Sequence, residues 1–122
     1  MGMAPSIVMA QDCATATPGQ TQCAGATAAT GAFATAVGYL SSATGDDSAA
    51  IGNQASAAGN RATAAGNLSV ASGAYSAAFG NMATASGANS AAFGNNARAT
   101  AVQATAVGNF ANVDPEIEDE VC

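Results

Sequence analysis

The chain has 122 residues, a formal net charge of −6, no His and no Trp. Its hydrophobic fraction of 49% is mostly Ala, 35 residues of it, and Ala buries too little area to offset its own ordering cost. That argues against a conventional single-core domain. The rest of the composition excludes catalysis by His, disfavours nucleic-acid binding with only Arg61 and Arg98 as cations, and leaves no apolar run of about 18 residues for a membrane helix.

In chain order, residues 1–10 read as the remnant of a secretory signal. Val8 and Ala10 are small residues at the −3 and −1 places of a cleavage site before Gln11. The alternative is an ordinary apolar N-terminus. Residues 11–30 are expected to be partly irregular. Here Cys13 and Cys23 flank a Thr/Ala/Pro/Gly segment. In an exported chain they would close a small disulfide loop worth about 2–3 kcal/mol; the alternative is two free thiols. Two Cys without His make a poor zinc site.

From residue 31 the chain keeps time. Gly31, Gly38, Gly45, Gly52, Gly59, Gly66, Gly73, Gly80, Gly87, Gly94 and Gly108 fall on a seven-residue beat, with Ala101 as the exception. When each seven is numbered to end on its Gly, position five is always Ala, from Ala36 to Ala106, and position three is Ala or Ser. Position six alternates between halves. One half carries Val37, Ile51, Ala65, Phe79, Phe93 and Val107, and the other Thr44, Ala58, Ser72, Ser86 and Thr100. The true period is therefore 14. Collagen would need Gly at every third residue. A coiled coil would lose about 1 kcal/mol at each Gly. A disordered low-complexity chain would not hold phase. A β-solenoid of two short strands and two tight turns per coil suits the pattern. Gly31 to Gly108 would then make about 5.5 coils, a rod on the order of 26 Å.

Alternation puts positions three and five on one face and four and six on the other. The small face, common to both halves, is expected inside a flattened roll. One outer face is polar, with Ser42, Ser56, Val70, Thr84 and Arg98. The other carries the Val, Ile and Phe row of position six, the expected interface between copies of the chain. Tyr39, Leu40, Leu68, Tyr75, Met82 and Phe110 fall at turn positions, either packing at coil edges or presenting apolar tips to a ligand.

The half-repeats Asp47-Ser48-Ala49-Ala50-Ile51-Gly52, Tyr75-Ser76-Ala77-Ala78-Phe79-Gly80 and Asn89-Ser90-Ala91-Ala92-Phe93-Gly94 resemble the Ser-Val-Ala-Ile-Gly motif of the YadA-like head repeat. Ala55-Ser56-Ala57-Ala58-Gly59 and Ala83-Thr84-Ala85-Ser86-Gly87 resemble its second half. The motif's Val is Ala at Ala49, Ala77 and Ala91, and its Ile is Phe twice. The resemblance spans residues 31–108 and implies the head of a trimeric autotransporter adhesin. It implies a left-handed parallel β-roll, a homotrimer, no enzyme activity and no cofactor. It further implies a bacterial surface location and attachment to host matrix such as collagen, or to other cells. Ice binding by a regular solenoid face is the alternative.

Residues 109–122 read as an acidic, disordered tail that lacks the spacing of a calcium loop. Cys122 is left to cross-link chains or remain unpaired.

Overall fold

A computed structural model describes residues 13–14, 19–23 and 28–115. Its strands are all short: β1 (Cys13–Ala14), β2 (Thr21–Cys23), β3 (Ala28–Ala29), β4 (Thr35–Val37), β5 (Ser42–Ala43), β6 (Ala49–Ile51), β7 (Ser56–Ala57), β8 (Thr63–Ala65), β9 (Val70–Ala71), β10 (Ala77–Phe79), β11 (Thr84–Ala85), β12 (Ala91–Phe93), β13 (Arg98–Ala99), β14 (Thr105–Val107) and β15 (Asn112–Val113). The even-numbered strands, with β1 at one edge, form an eight-stranded front sheet, and the odd-numbered strands from β3 to β15 form a seven-stranded back sheet. Each strand from β2 onward pairs in parallel with the strand one coil away. Thr35 sits beside Ala49, Ala49 beside Thr63, Thr63 beside Ala77 and Ala77 beside Ala91, a shift of 14 residues each time. The chain is an all-β parallel solenoid of about six turns.

The interior is as thin as the alternation requires. Ala36, Ala43, Ala50, Ala57, Ala64 and their equivalents are fully buried, and the largest fully buried side chains are serines. Between two sheets this close, a larger side chain has no room. The hydroxyls at position three turn back on their own corners. Ser41 Oγ donates to the Gly38 carbonyl at 2.9 Å, Ser48 Oγ to Gly45 at 2.6 Å and Ser69 Oγ to Gly66 at 3.0 Å. Ser76 Oγ and Ser90 Oγ are buried with no partner. A buried hydroxyl without a partner opposes folding, whereas a bonded one supports it. Ser48→Ala is therefore expected to cost about 1 kcal/mol, while Ser76→Ala and Ser90→Ala leave stability unchanged or raise it. Urea unfolding of the three variants reads the contrast.

Each coil turns at two corners. The position-two residue of every corner is left-handed, from Asp47 at φ 57° to Gln103 at 62°. Its backbone N–H explains why. Asp47 donates to the Ala32 carbonyl at 2.7 Å, Gln54 to Tyr39 at 2.8 Å and Arg61 to Asp46 at 2.7 Å, each across one coil. Stacking holds a conformation that a non-Gly residue alone avoids. The glycines leave room for the next coil at both kinds of corner. At front-to-back corners such as Gly66 a Cβ would land on the Gly80 carbonyl, and the φ is also positive, at +138°. At back-to-front corners such as Gly59 the φ is ordinary, but a Cβ would land on the Gly73 carbonyl of the next coil. At Ala101, the exception to the beat, the residue one coil on is Pro115.

The register runs past both ends of the glycine beat. Thr21–Cys23 pairs with Thr35–Val37, Ala28–Ala29 with Ser42–Ala43, and Asn112–Val113 with Arg98–Ala99. Part of the segment expected to be irregular, and the start of the expected disordered tail, thus belong to the coils. Strand pairing needs only a backbone one coil away, whereas the glycine is needed only where corners stack. The signal-like residues 1–10 and the segment 116–122 with Cys122 lie outside the described residues.

Candidate functional site

Four outer surfaces follow from this fold, and they differ sharply. On the front sheet, parallel register stacks position six into one row: Val37, Ile51, Ala65, Phe79, Phe93 and Val107. The small interior face cannot accept these side chains, so they project outward. Ile51 is 46% exposed, Phe79 39%, Phe93 40% and Val107 68%. The Phe79 and Phe93 rings stack with centroids 5.2 Å apart and planes 2° from parallel. The row thus gathers the larger apolar side chains of the front sheet on one exposed face, with Ala65 between Ile51 and Phe79.

The adjoining front-to-back corner extends the row. Exposed Leu40, Leu68, Met82 and Phe110 occupy its position two. Beside them Asn67 Nδ2 donates to Asn81 Oδ1 at 3.0 Å, Asn81 to Asn95 at 2.9 Å and Asn95 to Asn109 at 3.0 Å. This amide ladder satisfies exposed polar groups along the corner while fixing the spacing of the coils.

The opposite corner is charged. Arg61 Nε lies 3.7 Å from Asp47 Oδ2, its guanidinium carbon lies 5.6 Å from the Tyr75 ring centroid, and Nη1 donates to Tyr75 Oη at 3.2 Å. Asp46 Oδ1 accepts from the Ala32 N–H at 2.9 Å. The Asp47 and Arg61 side chains are 50% and 61% exposed, so solvent screens the pair. Composition and motif reading did not find this cluster. The signal was present, because residues 47, 61 and 75 hold the same place in successive coils. The back sheet's outer face is polar, and it includes Arg98 in register with Thr84 and Asn112.

At the N-terminal edge Cys23 is disulfide-bonded. Cys13 stands opposite it in the antiparallel β1–β2 pair. Among the described residues no group of His, Cys, Asp or Glu could hold a metal ion, and no helix is long and apolar enough to cross a membrane.

Four segments of the chain match the family model described as the YadA head domain repeat (2 copies): residues 29–55, 43–69, 71–97 and 85–111. Together they cover about two thirds of the sequence, and their offsets are multiples of the coil. No curated protein matches the chain.

Proposed function

For a chain that belongs to the YadA head domain family, we propose the role of a non-enzymatic adhesin head that works as a homotrimer on the bacterial surface. One observation carries the reading. The apolar row Val37–Ile51–Ala65–Phe79–Phe93–Val107 lies outside a core in which nothing larger than Ser is fully buried. A thin roll of this kind buries little of its own apolar area. Packing the row of each copy against its neighbour around a three-fold axis removes the larger side chains from water and closes the assembly. YadA heads in general form trimers.

The charged corner and the polar back sheet then remain available for contact with host matrix, collagen among the candidates, or with another cell. Ice binding is not favoured, because Val70 and Arg98, on either side of Thr84, interrupt any regular water-ordering array on the back sheet.

Size-exclusion chromatography with light scattering tests the assembly. The expected mass is three times the 11.5 kDa chain. A stable monomer at micromolar concentration overturns the proposal. Adhesion is read separately, by binding of the assembled head to collagen-coated and cell-coated surfaces. Binding confined to uncoated controls removes the adhesin role.

A further inference from the structure

The solenoid is periodic, so its two ends are complementary. The outer edge of β2 is the place where a strand 14 residues earlier would pair, and β14 is the last front-sheet strand among the described residues. A second copy could offer its β14 to the β2 edge and continue the parallel register. Such a head-to-tail contact does not close, and it grows into open-ended filaments.

Three features occupy the β2 edge instead. Strand β1 lies on it antiparallel, with Cys13 opposite Cys23 and Ala14 opposite Gln22. This is the one antiparallel pairing among the described strands, and its direction cannot be continued by a coil of this pattern. Gln20 then takes the place of the small position-three residue. Its Nε2 donates to the carbonyls of Thr30 and Gly31, both at 3.0 Å, which covers the top of the first back-to-front corner. Finally, the Phe33 ring lies over Gly19, where an added Cβ would fall 2.7 Å from Phe33 Cδ1. Glycine's lack of a side chain lets the ring seal this corner. Cys23, 7% exposed, is disulfide-bonded.

We propose that the β1–β2 hairpin, closed by a Cys13–Cys23 disulfide, is a cap that shields the β2 edge from the β14 edge of a second copy of this chain. The cap sets a directional end to the solenoid. It leaves sideways association through the apolar row unaffected, and the proposal does not depend on that association.

The test compares oxidised native protein with the double variant Cys13→Ser/Cys23→Ser and with native protein reduced by dithiothreitol, which is oxidised as the disulfide opens to two thiols. Circular dichroism of the opened forms is expected to retain the β-sheet signal. Their mass by light scattering is expected to rise with concentration as an open-ended series. The oxidised native protein is expected to hold one mass. Oxidised native chains, whose β2 edge is covered by β1, are expected to shorten the polymers when added in excess. An opened form with the native mass overturns the cap. So do aggregates that oxidised chains fail to shorten, because they do not grow by edge pairing. Complete unfolding on reduction and in the variant also overturns it, by making the disulfide a requirement for folding and not an edge shield. A closed trimer, present or absent, is a fixed mass and is distinguishable from all of these.

Discussion

Gly59→Ala is expected to cost at least about 3 kcal/mol and to lower Tm by on the order of 10 °C. The reason is a stacking distance and not a preferred dihedral. The Gly59 φ is one that Ala adopts freely, but its Cβ would fall on the Gly73 carbonyl, with the Ala74 amide nitrogen only 3.0 Å away. Both obstacles are backbone, and both are held by parallel pairing on either side, so neither can move without opening the coil. Gly108→Ala is the control. Among the described residues the nearest atom to a Cβ added at Gly108 is Ala111 Cβ at 3.9 Å, and the φ of +128° opposes a side chain. That strain is worth about 1–2 kcal/mol. Thermal unfolding followed by circular dichroism orders the two. Equal losses at both positions would remove coil stacking as the reason for the beat.

Phe79→Asp combined with Phe93→Asp is expected to convert the assembly to single chains. The two rings are in-register neighbours stacked at 5.2 Å. Their replacement puts two like charges side by side in the middle of the apolar row. Covering the exposed part of each ring, 39% and 40%, is worth about 1 kcal/mol per Phe, so losing both weakens association on the order of thirty-fold before the charges are counted. Light scattering should show the mass fall to that of one chain. Thr84→Asp is the matched control on the back sheet, where Thr84 neighbours Arg98 and the outer face is already polar. It is expected to leave the mass unchanged. A trimer that survives the double substitution would move the interface off this row.

The two substitutions probe features that differ in how openly the residues announce them. Position six of the front half was readable as an outer row from alternation alone, since Ala36 and Ala50 inside force Val37 and Ile51 out. The glycine beat was readable as corners, but its division of labour was not. Gly59 and Gly66 look alike in the chain and both leave room for the carbonyl of the next coil, but only the stacked corners show that Gly66 needs a positive φ as well. The left-handed residues at position two were likewise hidden. Asp47, Gln54, Arg61, Leu68 and Tyr75 share no turn-forming chemistry, because their conformation is imposed by hydrogen bonds to the coil before. The charged corner needed the coil offset to be seen, since Asp47, Arg61 and Tyr75 become neighbours only after each intervening coil has closed.

By itself, then, the order of residues determined the period, the β-solenoid class and the inner and outer faces. These depend on spacing and side-chain size, which are local and repeat without interruption. The tertiary structure decided that the coils run past the glycine beat, how β1 reverses over β2, and which glycines need a positive φ besides space. Each of those depends on what lies one coil away, across a sheet edge or corner. The Ala that first argued against a self-contained domain include the buried ones, such as Ala36, Ala50 and Ala78, that let the two sheets approach closely and leave Ile51, Phe79 and Phe93 at the surface.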